Sequence, residues 1–358
     1  MERIGRGQGV AALLNGRAKR VNAKVVRALE HALPEAMIRV SSDFEQARRH
    51  ARDICAAKPS VVLSGGGDGA IVKLLNLLRE EGHGAPLPTI GILKLGTGNG
   101  WANTSGAPDF FKMVRDLPQL PRALPTTHYD LLEVEGQLCH FAGVGWDAKI
   151  LNDYLRNLDK RSSQLIGSRL ASRIHKGLPG YLYSVARITV PEELAASRKL
   201  GRARVSLVAK GPDVYSCDDD GVLSKIFVPA STTGESRTQV YEGPLSVGAF
   251  SVTPDWGANF RAFPHARLKP GFINVRIYDR GAFEALRSLI PIWKGKAREG
   301  FHDFFTKEMT MKFSRPMPFQ IGGDGVGFRD EVTFKTAQES IDLVDWREAL
   351  KLARAELT

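Results

Sequence analysis

The chain has 358 residues, of which 50 are lysine or arginine and 39 are aspartate or glutamate, so its formal net charge is +11 at pH 7. The hydrophobic content of 43% is typical of a globular protein, and the length favours two domains over one. The excess of positive charge favours an anionic partner and argues against an acid-rich disordered chain.

The three cysteines are far apart and odd in number. That distribution excludes a disulfide framework and a CxxC metal or redox motif, and it indicates a reducing compartment. The first residues lack the apolar stretch of a signal peptide, and no apolar run approaches the roughly 18 residues of a membrane span. We therefore expect a cytoplasmic protein whose membrane contact is peripheral.

Short apolar strands alternate with helical stretches from Val10 to about Pro125. The predicted elements are, in chain order, strand 10–14, helix 20–33, strand 38–40, helix 43–57, strand 61–63, a helix with the apolar stripe Ile71, Leu74, Leu75 and Leu78, and strand 89–93. Asp43 is in position to cap the second helix. Such alternation predicts a parallel sheet covered by helices.

A proline-rich stretch at 118–125 breaks this pattern and predicts a hinge. Beyond it, closely spaced strands are predicted at 129–134, 138–141, 183–190, 204–208, 223–228, 246–251, 272–277, 308–313, 319–321 and 331–335, with one helical segment at about 147–175. This pattern is typical of an antiparallel β domain. The last predicted element is a closing helix over 337–356.

A glycine-rich loop, Gly65–Gly69, stands where a buried strand meets a helix. The backbone N–H groups and the positive helix end at such a junction suit a phosphate. The loop formally matches the dinucleotide pattern G-x-G-x-x-A, but it is not in the first βα unit, and the next strand ends at Lys94 with no acid for a ribose. The P-loop motif is absent. Two interpretations stay open: a nucleotide site in which Asp68 handles Mg²⁺ or a substrate hydroxyl, and a tight turn in which Asp68 caps its helix.

Two more polar loops end neighbouring predicted strands. Asn15-Gly16 follows the first strand, and Gly96–Asn99 follows the fourth. Open α/β sheets bind their ligands beyond the carboxyl ends of the strands, so three such loops on one edge favour a functional site.

These loops resemble the diacylglycerol kinase catalytic-domain family, which includes sphingosine kinases and their bacterial relatives. Gly66–Ala70 resembles the family's GGDGT signature, and Leu93–Asn99 resembles its PLGTGND loop. Leu13–Gly16 stands where the family has an Asn-Pro turn, and Ser41 stands near its phosphate-contacting Thr. Phe141–Ala148 resembles the GxGFDA entry to the second domain.

The resemblance covers nearly the whole chain and implies a two-domain, α/β plus all-β fold. A Rossmann-like nucleotide-binding domain is expected at 1–125 and an antiparallel β-sandwich domain for the lipid substrate at 126–336, with a C-terminal helix at 337–358 that returns to the first domain. The active site is expected in the cleft between the domains. The implied activity is transfer of the γ-phosphate of ATP to a hydroxyl of a lipid such as diacylglycerol or a sphingoid base, with ATP and Mg²⁺ as cofactors.

The resemblance also implies which residues bind the nucleotide. They are Asn15, Ser41, Gly66, Gly67, Asp68, Gly69, Gly96, Thr97 and Asn99. Phosphoryl transfer requires N–H groups around the phosphates, Mg²⁺ to neutralise charge and a carboxylate to take the hydroxyl proton. Asp68 is expected to contact the Mg²⁺ carried by the nucleotide or to orient the hydroxyl.

The tetrapeptide Gly-Gly-Asp-Gly occurs a second time, at 322–325 between two predicted strands. A hairpin turn is one interpretation, because Asp-Gly is a strong hairpin signal. The family has a Q-[IV]-D-G-E segment here whose acid is a general base, and an ungapped match puts Asp324 in the place of that acid, with Glu331 as the fallback. Some family members are thought to use the acid of GGDG as the base, so the roles of Asp68 and Asp324 are left open.

Three replacements separate this chain from the family pattern. Ala70 stands for the Thr of GGDGT, Gly100 for the Asp after GTGN, and Pro270 for the Asp of a D-G-x-L-D segment that holds a structural Mg²⁺ in some members. The sequence therefore does not predict that structural metal site. A catalytically degenerate lipid-binding protein is one alternative function, and an NAD-kinase-like enzyme, which also uses a GGDG loop, is another.

Positive charge is concentrated at 149–210, which contains thirteen lysines and arginines but only four aspartates and glutamates. The stretch includes Arg169, Arg173 and Lys176 in a helical, amphipathic pattern, which predicts contact with an anionic membrane surface; a solvated helix face is the alternative. No nucleic-acid partner is expected, because RRM-type and helix-turn-helix motifs are absent. A homodimer is left open.

Two further acidic motifs favour ordinary structure. The run Asp218–Asp220 before a glycine is typical of a solvated turn, although it could bind a cation. His302-Asp303 suggests a dyad, but no nucleophile accompanies it, so a surface histidine is expected.

Overall fold

The computed structural model describes residues 3–96, 99–146, 148–149, 201–228, 236–256, 260–281, 284, 291 and 299–355. The predicted helical segment at 147–175, the predicted strand at 183–190 and most of the basic stretch at 149–210 lie outside the described residues.

The chain divides into two compact units. Unit 1 consists of Met1–Leu131, Asp255–Asn259 and Ala337–Thr358, and unit 2 consists of Leu132–Pro254 and Phe260–Thr336. The two units are described separately below.

Unit 1 begins with alternating strands and helices, as the hydrophobic pattern predicts. The elements are β1 (Val10–Asn15), α1 (Ala23–Ala32), β2 (Met37–Ser41), α2 (Phe44–Ala57), β3 (Val61–Gly66), α3 (Asp68–Gly82), β4 (Thr89–Lys94), α4 (Gly100–Thr104) and α5 (Phe110–Met113). The strands are parallel in the order β4-β3-β1-β2. This arrangement confirms the α/β prediction for the first part of the chain.

Capping residues set where the helices of unit 1 begin. Asn22 accepts hydrogen bonds from the backbone N–H groups of Lys24 and Val25, which starts α1 three residues later than the sequence predicts. Asp43 accepts from Gln46 N at 2.8 Å and starts α2, as predicted. These caps satisfy N–H groups that have no partner inside the helix, and they fix the loops that connect the strand ends to the helices.

Unit 2 is built from antiparallel strands. They are β5 (Thr126–Val134), which begins in unit 1, β6 (Gln137–Cys139), β7 (Phe141–Gly145), β8 (Arg204–Lys210), β9 (Tyr215–Cys217), β10 (Leu223–Lys225), β11 (Arg237–Pro244), β12 (Val247–Ser251), β13 (Ile273–Tyr278), β14 (Phe301–Thr306), β15 (Glu308–Ile321) and β16 (Asp324–Val344). The order β10-β9-β14-β13-β12-β7-β15-β16 is antiparallel throughout. Phe250 and Phe334 stack in its core at 3.8 Å between ring centroids. The antiparallel prediction for this part of the chain is confirmed.

The last part of the chain returns to unit 1, but not as one helix. β16 continues to Val344, and Leu343 pairs in parallel with Ile90 of β4. The helix, α6 (Trp346–Ala355), starts nine residues later than the predicted start at 337. The prediction of a helix over 337–356 is therefore wrong for 337–344, because buried Ile341 and Leu343 alternate with exposed Asp342 at the period of a strand.

Among the described residues, no helix combines the length and the hydropathy that crossing a bilayer requires.

Candidate active site

The carboxyl ends of the parallel strands bring several predicted site residues to one edge of the unit 1 sheet. Asn15 at the end of β1 pairs with Ser41 at the end of β2, and Gly66 at the end of β3 pairs with Lys94 at the end of β4. Since β1 also lies next to β3, Asn15, Ser41 and Gly66 belong to one continuous edge. This is the edge at which open α/β sheets bind their ligands.

Asn15 and Ser41 shape the turn that follows β1. Asn15 Oδ1 accepts a hydrogen bond from Arg17 N at 3.0 Å, and Gly16 N donates to the carbonyl of Ser41 at 2.8 Å. The buried hydroxyl of Ser41 donates to the carbonyl of Leu14 at 3.4 Å. The turn therefore places the amide of Asn15, a hydrogen-bond donor, at the end of the strand, where it suits a phosphate oxygen.

The two glycine-rich loops of unit 1 touch each other. A Cβ atom on Gly96 would lie 2.3 Å from Gly67 Cα and 2.8 Å from the carbonyl oxygen of Gly66. No side chain fits at those distances, so the close approach of the loops requires glycine at position 96. Gly67 is the N-cap residue of α3, and Gly69 lies in its first turn.

Asp68 ties these two loops together. Its Oδ2 accepts a hydrogen bond from Gly100 N at 3.0 Å, and its Oδ1 accepts one from Trp101 N at 3.1 Å. Both donors belong to the first turn of α4. The carboxylate therefore caps α4, the helix after the second loop, whereas its own helix α3 has no side-chain cap. The sequence analysis left open that Asp68 caps its own helix, α3. The structure shows that it caps α4 instead.

Asn99 closes the second loop on itself. Its Oδ1 accepts from Gly96 N at 2.9 Å, and its Nδ2 donates to the carbonyl of Gly96 at 2.7 Å. The residue is buried and has a left-handed backbone with φ of 54°, which Asn tolerates better than most residues. Asn99 thus fixes the shape of the loop through its side chain. Thr97, the other predicted residue of this loop, lies outside the described residues.

Burial dominates the electrostatics of Asp68. It raises the pKa of Asp68 above its ordinary value of 3.8, while the hydrogen bonds from Gly100 and Trp101 act in the opposite direction. Each carboxylate oxygen retains a lone pair after accepting one hydrogen bond, which is sufficient for one contact to a Mg²⁺ ion. No group of three or more His, Cys, Asp or Glu side chains in the described part of the chain is arranged to hold a metal ion. Asp68 would therefore contribute one carboxylate to a metal ion carried by a ligand.

A cavity of about 180 Å³ opens beside this edge, between the strand ends of β1 and β2 and the helices α2 and α3. Its apolar wall consists of Leu13, Phe44, Ala47, Ala70, Leu74 and Leu77. Asn15, Ser41, Asp43 and two cations, Arg17 and Lys73, supply its polar lining. An apolar wall next to converging polar and cationic groups is typical of a small-ligand site.

Arg17 and Lys73 were missed by the sequence analysis. Arg17 lies two residues after Asn15, and its position in the turn at the end of a strand could have identified it as a site residue. Lys73 lies three residues after Ala70 in α3 and therefore on the same face of that helix. Neither cation belongs to a recognisable motif, so only the fold reveals that both reach the same cavity.

The second Gly-Gly-Asp-Gly segment forms a hairpin in unit 2. Gly322 and Gly323 have φ of 57° and 92° and form the two-residue turn between β15 and β16. Asp324 is the exposed first residue of β16. Glu331, the fallback for the base, pairs with Lys312 at 3.1 Å on an exposed strand face. The backbone matches the hairpin interpretation, and the role of Asp324 as a general base stays a prediction.

The acidic run at 218–220 is a turn. Asp218 Oδ1 accepts from Asp220 N at 3.1 Å and from Val222 N at 2.8 Å, and Gly221 has φ of 85°. The side chain of Asp218 therefore stabilises the β9–β10 connection, as an Asx turn does.

His302 and Asp303 do not form a dyad. They are consecutive residues of β14, so their side chains point to opposite faces of the sheet. His302 Nε2 lies 2.9 Å from Asp279 Oδ2, whereas Asp303 forms a buried ion pair with Arg276 at 2.9 Å and accepts from Asn274 at 3.0 Å. Both residues thus have structural partners.

Residues 12–131 match the model of the diacylglycerol kinase catalytic domain. The chain is also similar to a curated protein called a probable lipid kinase YegS-like, from Enterobacter sp. (strain 638), with 29% identity over 118 residues. That match covers 32% of this chain and 38% of the relative, so it spans about two fifths of the relative's length.

A solved structure shows the same fold over almost the whole chain. The crystal structure of a diacylglycerol kinase from Bacillus anthracis str. Sterne has a TM-score of 0.57 and 13% sequence identity, and the match covers 95% of this chain and 97% of that one. At this identity the similarity is evidence for the fold alone. The family model covers the glycine loops, the polar strand ends and the cavity described above. Residues 12–131, which carry this site, are thus similar to the diacylglycerol kinase catalytic domain.

Proposed function

We propose that this protein is a lipid kinase that transfers the γ-phosphate of ATP to a hydroxyl group of a lipid. The observation that carries the proposal is the cavity at the carboxyl edge of the unit 1 sheet, where Asn15 and Ser41 lie with the cations Arg17 and Lys73. The match of residues 12–131 to a kinase catalytic domain and the similarity to a relative named as a probable lipid kinase support the same reaction.

Both the apolar wall and the polar, cationic lining of the cavity suit a nucleotide. The apolar wall offers a surface for a flat purine base, and Phe44, of which 52% is exposed, can cover that base from the solvent side. Arg17 and Lys73 carry charges opposite to those of phosphate groups. The N-terminus of α3, with the N–H groups after Gly67, starts at the same edge and adds partial positive charge.

The glycine loops would hold the transferring phosphate. Asp68 keeps the second loop against the first by capping α4, and its carboxylate would contact a Mg²⁺ ion carried by the nucleotide. Such an ion neutralises charge that develops on the phosphate oxygens. In this proposal Asp68 therefore positions the reacting group.

Asp324 is our candidate for the general base. Burial raises the pKa of Asp68, but a base needs an oxygen that faces the substrate hydroxyl. Both oxygens of Asp68 face the backbone of α4, whereas Asp324 is exposed at the start of a strand. The exposure of Asp324 supports its choice for this role.

The test is transfer of label from γ-labelled ATP to a panel of acceptors: diacylglycerol, a sphingoid base, ceramide, phosphatidylglycerol and NAD⁺. We expect a phosphorylated lipid and no phosphorylated NAD⁺. Transfer to NAD⁺ alone would support the NAD-kinase-like alternative, and binding of lipid without transfer to any acceptor would support the degenerate lipid-binding protein. Either result would contradict the proposal.

The cavity is tested separately by ATP affinity. Arg17→Gln and Lys73→Gln should each raise the Kd for ATP by about tenfold, since each removes a charge-assisted contact to phosphate. Lys112→Gln is the matched control, because this exposed lysine on α5 does not line the cavity. Unchanged affinity in both cavity variants would place the nucleotide elsewhere.

A further inference from the structure

One carboxylate, that of Asp43, lines a cavity whose other charged groups are the cations Arg17 and Lys73. The hydrogen bond from the backbone N–H of Gln46 lowers the pKa of Asp43 below its ordinary value of 3.8, and the positive charges of Arg49 and Arg17 lower it further. The side chain is therefore ionised at neutral pH. An ionised carboxylate repels phosphate, so Asp43 has to face a different part of a ligand whose phosphates bind the two cations.

Hydrogen bonds fix the side chain of Asp43 in place. Its Oδ1 accepts from Gln46 N at 2.8 Å, and its Oδ2 accepts from the hydroxyl of Ser42 at 3.2 Å. Gln46 Oε1 accepts in turn from Ser42 N at 2.7 Å, which closes the turn before α2. Each carboxylate oxygen has accepted one hydrogen bond and retains a lone pair. Asp43 is therefore an ordered acceptor with capacity for two more donors.

The segment after β2 places Asp43 between the two ends of the cavity lining. Ser41 belongs to the strand edge that it shares with Asn15, where phosphate is expected. Phe44 begins α2 and can cover a purine base. In a nucleotide the ribose connects the base to the phosphates, and its 2′ and 3′ hydroxyls are neutral donors. The position of Asp43 between Ser41 and Phe44 therefore corresponds to the sugar.

The neighbouring strands support the same position. β2 lies directly beside β1, whose end carries Asn15. In doubly wound dinucleotide-binding sheets, an acid that follows the phosphate loop at some distance in the chain bonds the ribose hydroxyl. The strand after the glycine-rich loop 65–69 ends at Lys94 and offers no such acid, whereas β2 is followed by Asp43. The acid for a ribose therefore comes from β2 and not from β4.

We propose that Asp43 is a specificity-determining residue that binds the 2′ and 3′ hydroxyls of the nucleotide and makes the cavity selective for ribonucleoside triphosphates. The inference rests on the proposed function, which places ATP in this cavity. A deoxy sugar leaves the charged acceptors of Asp43 without these donors. The exocyclic amine of adenine is the other neutral donor of ATP, but it lies on the far side of the base from the phosphates, beyond the position of Asp43 next to the strand edge.

The experiment measures the Kd of the full chain for three nucleotides by calorimetry, without lipid. They are ATP, 2′,3′-dideoxy-ATP and inosine triphosphate, which lacks the exocyclic amine. We define the ribose ratio as the Kd for dideoxy-ATP divided by the Kd for ATP, and we expect it to be about ten or more. Inosine triphosphate should lose much less affinity. A ribose ratio near one would overturn the proposal, and so would a loss with inosine triphosphate alone, because the base would then face Asp43.

Two substitutions remove the acceptor without removing the cap of α2. Asp43→Ser keeps a residue that caps helices well but has no second oxygen, so the ribose ratio should fall to about one. Asp43→Asn keeps the cap, as Asn22 does for α1, and has one oxygen fewer and no charge, so its ratio should be intermediate. The Tm of both variants should match that of the unmodified protein. An unchanged ribose ratio in Asp43→Ser would mean that Asp43 only caps its helix.

Glu45→Ser is the matched control. Glu45 is an exposed acid in the first turn of the same helix, but it does not line the cavity. This variant should keep the ribose ratio of the unmodified protein. A fall of the ratio in Glu45→Ser equal to that in Asp43→Ser would show that general negative charge at the start of α2, and not contact with the sugar, sets the selectivity.

The same titrations separate this inference from the proposed function. Arg17→Gln should weaken ATP and dideoxy-ATP by the same factor and leave the ribose ratio unchanged, because Arg17 acts on the phosphates. If a lipid is phosphorylated but the ribose ratio is one, the role of Asp43 is wrong and the kinase assignment stands. If the ribose ratio follows the predicted pattern but no acceptor is phosphorylated, the kinase assignment is wrong and the ribose contact stands.

Discussion

The tetrapeptide Gly-Gly-Asp-Gly occurs twice in this chain, at 66–69 and at 322–325, and it forms two different structures. The first copy leads from a strand into a helix, and Gly67 has φ of −97°. The second copy leads from one antiparallel strand into the next, and its two leading glycines have φ of 57° and 92°. The first aspartate is half-buried and caps another helix, whereas the second is exposed.

The residues that follow each copy decide between these structures. After the first copy, Ile71, Leu74, Leu75 and Leu78 repeat at helical spacing and pack into the core. After the second copy, exposed and buried residues alternate along β16, with Val332 and Phe334 buried. The four identical residues can therefore adopt either structure. The spacing of hydrophobic residues in the segment that follows decides whether a helix or a strand forms. The surroundings of each aspartate follow from that selection.

Exchanging each aspartate for asparagine should have larger effects than any other substitution proposed below. In the proposed mechanism Asp324→Asn removes the general base, so kcat should fall by about 10²–10⁴-fold while the Kd for ATP and the Tm stay unchanged. Asp68→Asn puts an amide donor against the N–H groups of α4, so the free energy of unfolding should fall by about 1–3 kcal/mol and ATP should bind more weakly.

Steady-state kinetics, ATP titration and thermal unfolding of both variants distinguish the two roles. A pure kcat defect in Asp68→Asn, with normal unfolding and normal ATP affinity, would reverse the assignment and make Asp68 the base.

A side chain at Gly96 should break the contact between the two loops of unit 1. A Cβ there would lie 2.3 Å from Gly67 Cα, and because both positions are backbone, neither can move away cheaply. Gly96→Val should therefore cost about 3 kcal/mol of unfolding free energy and abolish measurable ATP binding. Urea unfolding and ATP titration measure the two effects, and Gly82→Val is the control, since a Cβ there would make only ordinary contacts, at 3.8 Å and 3.9 Å. Near-normal ATP affinity in Gly96→Val would show that the loops need not touch.

Sequence patterns predict the local parts of this site well. Helical spacing and the Asp43 cap locate α2 and α3, and glycine content locates the loops. They do not predict the bonds from Asp68 to Gly100 and Trp101, because those partners are 32 and 33 positions away and are brought near only by the parallel pairing of β3 and β4. The same pairing of distant segments explains why the cations of the cavity were missed.

Alanine should destabilise the two copies to different extents. Gly323→Ala forces a side chain into a left-handed backbone and should cost about 1 kcal/mol, although the space around it is open. Gly67→Ala places its Cβ 3.7 Å from Gly96 Cα, an ordinary contact, with a backbone that alanine adopts, and should cost less than about 0.5 kcal/mol. Urea unfolding gives both values. A larger loss for Gly67→Ala would indicate that backbone conformation does not distinguish the copies.

The smallest expected effect concerns the far end of α3, the helix that the first copy begins. Glu81 accepts hydrogen bonds from Arg52 at 2.8 Å and from Arg48 at 2.9 Å, which lower the pKa of Glu81 to about 2 and join α3 to α2. An acid with a lowered pKa stabilises the fold above its ordinary pKa of 4.5 and loses that contribution as the pH falls towards 2. The raised pKa of Asp68 has the opposite sign, because ionisation of Asp68 opposes folding as the pH rises.

Tm measured between about pH 2 and 6 tests this difference in sign. Glu81→Gln should reduce the fall in Tm that the unmodified protein shows as the pH decreases. Asp68→Asn should instead remove a contribution to stability that weakens as the pH rises. Glu80→Gln is the control for Glu81, because Glu80 is 45% exposed and pairs only with Arg48 among the described ion pairs. Parallel acid limbs for Glu81→Gln and the unmodified protein would mean that the two arginines do not hold α3 in solution. The first copy would then depend on its own loop contacts and on the apolar stripe of α3 for its position at the sheet edge.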